Sequence, residues 1–195
     1  MKKGTFIVLY GINNLGKSTQ AKKLVDRMNT EGHPTEYLKY PVYNLAPSGP
    51  MINAYLREGN PYNLTAKEAQ LLYVLNRTQY EPILKQKLAQ GINIIVEDYI
   101  GTGICWGIGF GIEKEFMKKI NEHLLPEDLV FLFQGKRFSE AIEKNHEHET
   151  NDPLIEKVQD IHKRLGKEHN WITIDANQPI DTIDEELWNH TQKIL

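Results

Sequence analysis

The chain has 195 residues, of which 25% are charged, and its formal net charge is −3. This near balance of charge argues against a broad surface for nucleic acid, and no stretch approaches the roughly 20 apolar residues that would cross a membrane. The single cysteine, Cys105, cannot form an internal disulfide, which indicates a reducing compartment and predicts a cytoplasmic protein.

Short apolar runs alternate with longer helical patterns along the chain. Because the apolar content of the runs is near-continuous, they are typical of strands in a parallel sheet that is covered on both faces. The predicted strands are Thr5–Tyr10, Glu36–Tyr40, Ile92–Val96, Leu129–Phe133 and Trp171–Asp175. The predicted helices are Lys17–Thr30, Thr65–Gln90, Lys114–His123, Ser139–Lys144, Pro153–Glu168 and Ile183–Ile194.

The alternation of these elements predicts an α/β fold, a doubly wound five-stranded parallel sheet with helices on both faces. Thr65 and Glu68 have the T-x-x-E spacing of a capping box at the start of the longest helix. We find no repeat or linker, so residues 1–195 are expected to form one domain.

The segment GINNLGKST follows the first strand and opens the first helix. It matches the phosphate-loop pattern G-x-x-x-x-G-K-[ST], whose glycines let backbone N–H groups surround phosphate oxygens at a helix N-terminus. In this pattern Lys17 bridges the β- and γ-phosphates of ATP and Ser18 holds Mg²⁺ through its hydroxyl. The predicted ATP-binding residues are Gly11, Asn13, Asn14, Gly16, Lys17, Ser18 and Thr19.

Two acidic residues, Glu97 and Asp98, end the third strand, at the edge where open α/β sheets bind their ligands. We predict Glu97 as the Mg²⁺ ligand, and we predict Lys17, Glu97 and Asp98 as the catalytic residues. A carboxylate at position 98 would repel a monophosphate, so Asp98 is also a candidate acceptor of a hydroxyl from a ribose or nucleoside. The glycines within 101–111 are interpreted as points of close backbone approach around the acceptor.

Four segments carry a resemblance to the thymidylate kinase family that covers nearly the whole chain. They are YGINNLGKSTQ at the loop, YPVY after the second strand, LLYVLNR in the long helix and EDYIGTGICW after the third strand. The resemblance implies a nucleoside monophosphate kinase of the P-loop fold. It also implies transfer of phosphate from ATP to dTMP with Mg²⁺, and a homodimer formed by helix packing.

The best-kept part of the resemblance is the pocket for the acceptor. Tyr73 stands where the family has a phenylalanine that stacks on thymine, and Arg77 stands where an arginine hydrogen-bonds the base edge. Ordinary packing of Tyr73 on its helix face is the alternative. The residues that the resemblance implies for acceptor binding are Tyr40, Tyr43, Tyr73, Arg77, Tyr99 and Thr102.

The departures from the family all concern charge. Asn13 replaces a loop acid, Asn14 stands where some members carry a catalytic arginine, and Tyr43 and Asp98 replace two further arginines. The segment 144–152, predicted as a short mobile lid, also contains no arginine. The cations that we expect near the site are Lys17, Lys39, Arg77, Lys136 and Arg137.

Because phosphoryl transfer depends on charge neutralisation, these losses leave three functions open. The first is phosphorylation of dTMP to dTDP. The second is a kinase of the same fold that acts on another pyrimidine nucleotide or on a nucleoside. The third is a nucleotide-binding protein with little turnover. In the first two, the partners are ATP and a pyrimidine compound.

Overall fold

The computed structural model describes residues 2–138 and 151–195. Its strands are β1 (Phe6–Tyr10), β2 (Thr35–Lys39), β3 (Asn93–Glu97), β4 (Leu129–Gln134) and β5 (Ile172–Asp175). Its helices are α1 (Lys17–Thr30), α2 (Ser48–Arg57), α3 (Ala66–Ala89), α4 (Ile100–Gly109), α5 (Lys114–Asn121), α6 (Asp152–Glu168) and α7 (Ile180–Thr191). Each predicted strand agrees with an observed one to within one residue at either end.

The five strands form one parallel sheet in the order β2-β3-β1-β4-β5. Strands β3 and β2 lie on one side of the central strand β1, and β4 and β5 lie on its other side. The direction in which the chain adds strands therefore reverses at β1. The ends of β1 and β3 lie next to each other there, with Leu9 in register with Glu97. This is where open α/β sheets bind their ligands, and the predicted fold class is confirmed.

All five residues of strand β1 are buried. Successive side chains of the strand point to opposite faces of the sheet, so both faces must be covered. Phe6, Val8 and Tyr10 pack in one apolar cluster with leucines of α3. Ile7 and Leu9 pack in a second cluster with residues of α1, α4 and α6. Two-sided burial explains the near-continuous apolar sequence of this strand.

The capping box at the start of α3 is present. The Thr65 hydroxyl accepts a hydrogen bond from the backbone N–H of Glu68 at 3.2 Å, and the Glu68 carboxylate accepts one from the Thr65 N–H at 2.8 Å. The helix therefore begins where its sequence predicts, and this fixes the position of the side chains that follow along it.

Two helices, α2 and α4, were not predicted from the sequence. Helix α4 runs through the glycines that we had interpreted as close approach around the acceptor, and that interpretation is wrong for most of them. A Cβ on Gly101 would lie 2.6 Å from the Tyr10 ring, so tight packing against neighbours compensates the low helix propensity of glycine. Only Gly103 of these glycines lines the cavity described below.

Four further predictions concern a helix, a lid, the number of domains and the cellular location. The predicted helix Ser139–Lys144 and most of the predicted lid 144–152 lie outside the described residues, so both stay predictions, as does the single domain. Among residues 2–138 and 151–195, no helix is both long and apolar enough to cross a membrane. The cytoplasmic location also stays a prediction.

Candidate active site

The predicted phosphate loop joins β1 to α1. Gly11 and Gly16 have φ values of 136° and 75°, which side chains rarely adopt, so the turn depends on glycine at both positions. Gly16 precedes α1 and has no side chain that could cap the helix. The first N–H groups of α1, at the positive end of the helix dipole, are therefore left for a ligand in the cavity. This geometry suits a bound phosphate.

The side chain of Lys17 lies across the loop. Its Nζ donates hydrogen bonds to the carbonyl oxygens of Gly11 at 3.0 Å and Ile12 at 2.8 Å, and it lies 3.8 Å from Oδ1 of Asp98. These neutral carbonyls hold the ammonium group in place at the centre of the loop. A phosphate that enters the loop therefore meets a positioned cation.

The two asparagines of the loop line the cavity beside Thr19. Asn14 has a φ of 65°, a conformation that asparagine tolerates better than most residues. Its carbonyl oxygen accepts a hydrogen bond from the N–H of Phe138 at 2.8 Å, and the half-exposed Phe138 ring covers the loop. No sequence pattern predicts this contact, because Phe138 lies far along the chain from the loop.

The carboxylate of Glu97 is buried at the end of β3, and three side chains donate to it. Ser18 Oγ lies 2.5 Å from Oε2, Tyr37 OH lies 2.7 Å from Oε2, and Lys39 Nζ lies 2.9 Å from Oε1. These donors come from α1 and β2, so one carboxylate joins three elements of the fold.

Glu97 and Asp98 are neighbours with opposite pKa shifts. Burial would raise the pKa of Glu97, but the charges of Lys17 and Lys39 and the hydrogen bond from Ser18 outweigh it and lower that pKa to about 2. Burial raises the pKa of Asp98, and the nearby Glu97 carboxylate adds to this while Lys17 opposes it. Glu97 is therefore ionised at all ordinary pH values, and Asp98 is the weaker acid of the pair.

Ser18 and Glu97 are the residues predicted to hold Mg²⁺. Both offer oxygen, the donor that Mg²⁺ prefers, and their oxygens already lie 2.5 Å apart beside the phosphate loop. The low pKa of Glu97 keeps its carboxylate charged, as a ligand requires. The residues present therefore fit the ion.

A cavity of about 610 Å³ extends from the phosphate loop to one face of α3. This volume is in the range of sites for small molecules. The loop residues Asn13 to Thr19 line one end, with Lys39, Glu97 and Asp98 beside them. The residues that line the other end include Pro41, Tyr43, Leu56, Arg57, Gln70, Tyr73, Asn76, Arg77 and Trp106.

Arg77 lies at the inner end of this cavity and is only 4% exposed. Its Nη1 donates to Oδ1 of Asn121 at 3.0 Å, and burial lowers its pKa. A Cβ on Gly103 would lie 2.6 Å from Nη2 of Arg77, so only glycine leaves room for the guanidinium here. Among the described residues, Nε of Arg77 has no hydrogen-bond partner. A planar group with donors fixed by Asn121 is well suited to read the edge of a base.

The other predicted acceptor residues divide into two groups. Tyr40, Tyr43, Tyr73 and Thr102 line the cavity, and the Thr102 hydroxyl donates to Oδ1 of Asp98 at 2.9 Å. Tyr99 lies behind this wall. Its ring is fully buried and packs against Phe6 and Tyr40, with ring centroids 5.1 and 5.3 Å away. The structure thus places Tyr99 in the core, because the backbone after Asp98 turns its side chain toward the sheet.

Two polar residues of the cavity were missed in the sequence. Arg57, at the end of α2, lies with its guanidinium carbon 4.9 Å from the centre of the Tyr43 ring. Gln70, on α3, is 1% exposed. The apolar spacing of Ile52, Tyr55 and Leu56 was the available signal for α2, and it would have brought Arg57 to attention.

Known proteins resemble this chain over nearly its whole length. A family model described as thymidylate kinase matches residues 9–187. Human thymidylate kinase is 29% identical over 192 residues, which cover 95% of this chain and 89% of the human one. The Dictyostelium discoideum thymidylate kinase is 30% identical and covers 96% of this chain and 84% of its own length. The solved thymidylate kinase of Candida albicans has the same fold, with a TM-score of 0.80 at 22% identity over 98% of this chain and 92% of that one.

Proposed function

The chain belongs to the thymidylate kinase family, and from that premise we propose that it transfers the γ-phosphoryl group of ATP to dTMP, giving dTDP and ADP. The observation that carries the proposal is the single cavity that joins a phosphate loop to Tyr73 and Arg77. A donor triphosphate at one end and a base at the other would bring the two reacting phosphates together between them.

At the donor end, Lys17 and the N-terminus of α1 bind the ATP phosphates. An oxygen of the dTMP phosphate attacks the γ-phosphorus, the bond from that phosphorus to the β–γ bridging oxygen breaks, and ADP leaves. Lys17 stabilises the charge that moves to this bridging oxygen. Ser18 and Glu97 would hold Mg²⁺, which when bound would supply neutralisation of phosphate charge.

At the acceptor end, Tyr73 stacks on the thymine ring and Arg77 donates to its edge. Stacking on an aromatic side chain holds the base in the cavity, and the guanidinium sets its orientation. Tyr40, Tyr43 and Thr102 complete the wall around the sugar and phosphate.

A panel of acceptors tests this proposal. We expect ADP release from ATP and Mg²⁺ to be fastest with dTMP, compared with dUMP, dCMP, thymidine and deoxycytidine. Lys17→Met keeps the length of the side chain but removes its charge, so release with dTMP should fall about a hundredfold or more while the melting temperature shows an intact fold. Faster release with another acceptor would contradict dTMP as the substrate. No release with any acceptor would favour a nucleotide-binding protein.

Arg57 is the cation that we assign to the acceptor phosphate. The family arginine after the second strand is Tyr43 here, and the Arg57 guanidinium packs on that tyrosine ring at 4.9 Å. Its Nη1 also contacts Oδ1 of Asn53 at 3.3 Å, which helps to hold it at the cavity wall. An arginine from α2 thus reaches the region that an arginine at position 43 would serve, with donors suited to a phosphate.

Exchanging the two positions tests this assignment. Arg57→Gln should weaken dTMP binding about ten- to hundredfold, because a hydrogen bond to a charged group is lost, while thymidine binding stays unchanged. Adding Tyr43→Arg to Arg57→Gln should recover most of the dTMP affinity. The measurement is calorimetric titration of both ligands, with the exposed Arg164→Gln as a charge control. Equal losses for dTMP and thymidine would mean that Arg57 only shapes the cavity.

A second candidate function is phosphorylation of an uncharged nucleoside, and Asp98 is the observation that favours it. A 5′-hydroxyl must lose a proton when it attacks phosphorus, whereas the phosphate of dTMP is already ionised. Asp98 Oδ1 lies 3.8 Å from Lys17 Nζ, close to where the γ-phosphate would bind. A carboxylate in that place can accept the hydroxyl proton but repels a second phosphate.

Asp98→Asn separates the two functions. Asparagine keeps the shape and tolerates the φ of 61° at this position, so the fold should be retained. If dTMP is the substrate, we expect kcat/KM for dTMP to rise several-fold because a like charge is removed. If Asp98 takes a hydroxyl proton, thymidine turnover should instead fall about 10²–10⁴-fold. Steady-state kinetics with both acceptors decide, with the exposed Asp181→Asn as the control.

We also propose that the protein forms a homodimer through α3. Leu71, Leu75 and Ile83 are 45%, 39% and 41% exposed and lie along one ridge of the helix with a spacing of multiples of four residues. Rows of this kind interdigitate when two helices pack, and exposed leucines and isoleucines in a row are typical of such surfaces.

Leu75→Glu tests the dimer. We expect wild type to sediment as a dimer at micromolar concentration and Leu75→Glu as a monomer, because packing would bury an unpaired charge. Ile180→Glu, at a residue that is 55% exposed on α7, provides a matched apolar-to-acid control and should remain dimeric. A monomeric wild type would rule out the interface.

A further inference from the structure

Gln70 lies on the same face of α3 as the two residues that define the base pocket. It precedes Tyr73 by three residues and Arg77 by seven, a spacing that aligns side chains along one side of a helix. All three line the cavity. Gln70 is therefore positioned to contact whatever lies between Tyr73 and Arg77.

The amide oxygen of Gln70 is buried and lacks a hydrogen-bond partner among the described residues. The residue as a whole is 1% exposed. An amide oxygen in this state destabilises a folded protein unless a partner pairs with it, and a ligand in the cavity would be such a partner. An apolar side chain of similar size would fill the same space at lower free energy.

Gln79 provides a direct comparison within the same helix. Its Oε1 accepts a hydrogen bond from Ser48 Oγ at 2.5 Å, and its Nε2 donates to the carbonyl oxygen of Ala46 at 2.9 Å. Helix α3 carries a third glutamine, Gln86, which is exposed. Of the other two, the amide of Gln79 is satisfied by the protein, whereas the amide oxygen of Gln70 has no donor among the described residues. Gln70 is the one in the cavity.

We propose that Gln70 is a specificity-determining residue that reads the acceptor base, with its amide oxygen accepting the imino N3–H of a thymine or uracil ring. This inference rests on the proposed function, since it presumes a pyrimidine acceptor stacked on Tyr73. The ring's O4 carbonyl then faces Arg77, and the adjacent N3–H faces Gln70.

The preference for thymine over cytosine follows from the hydrogen-bond donors and acceptors that line the pocket. Arg77 has only donors, and its Nη1 is held by Asn121, so it can pair with a carbonyl but not with the amino group of cytosine. Cytosine also presents a bare nitrogen at position 3, which the amide oxygen of Gln70 cannot pair with. A glutamine amide alone can turn over to suit either base, so the donors of Arg77 supply the part of the preference that cannot be reversed.

The test compares Gln70→Leu and Gln70→Met with Gln79→Leu. For both Gln70 variants we expect the Kd for dTMP to rise about tenfold, the preference for dTMP over dCMP to fall, and the melting temperature to stay level or rise. Gln79→Leu should lower the melting temperature and leave the base preference unchanged. Titration calorimetry without ATP measures the affinities, and thermal unfolding of the unliganded protein measures stability.

Different results would contradict the kinase function and the role of Gln70. Wild type that binds dTMP more tightly than dCMP but releases no ADP would contradict the kinase function and leave Gln70 testable by binding alone. An unchanged ratio of dTMP to dCMP affinity in both Gln70 variants would overturn the role of Gln70. A melting temperature that falls as far as in Gln79→Leu, with equal losses for both ligands, would also overturn it, since that is the signature of a residue needed only for packing.

Discussion

The buried carboxylate of Glu97 is the constraint on which the arrangement of the site depends. Donors from α1 and β2 converge on it at the end of β3. Because an ionised group inside the protein must be satisfied on several sides, these contacts fix the phosphate loop relative to the two strands next to it. The same contacts keep Glu97 charged and oriented beside the loop.

The balance of charge in the cavity follows from that arrangement. Lys17 and Lys39 face Glu97 and Asp98, so two cations are matched by two carboxylates before any phosphate enters. A donor and an acceptor together bring several negative charges into this space, and the remaining positive charge comes from arginines at its far end. The position of Arg57 on α2 is therefore central to how a monophosphate would be held.

Different sides of helix α3 have different surroundings. One side carries Gln70, Tyr73 and Arg77 to the end of the cavity away from the phosphate loop, while Leu71 and Leu75 are exposed on another side. The helix runs over 24 residues and starts at a fully formed capping box. Packing at its exposed ridge would limit the rotation of the helix and steady the side chains that line the cavity.

Local sequence determined the strands, the phosphate loop and the start of α3. Glycine and lysine spacing, continuous apolar runs and a Thr-x-x-Glu cap all act within a few residues of the chain, so they can be recognised without neighbours. The tertiary structure decided what a side chain faces. It placed Tyr99 in the core, brought Arg57 onto Tyr43 and made a helix of a glycine-rich segment. It also buried the amide oxygen of Gln70, for which the described part of the chain offers no donor. These outcomes depend on contacts between elements that are distant in sequence, and burial, pairing and charge are properties of those contacts.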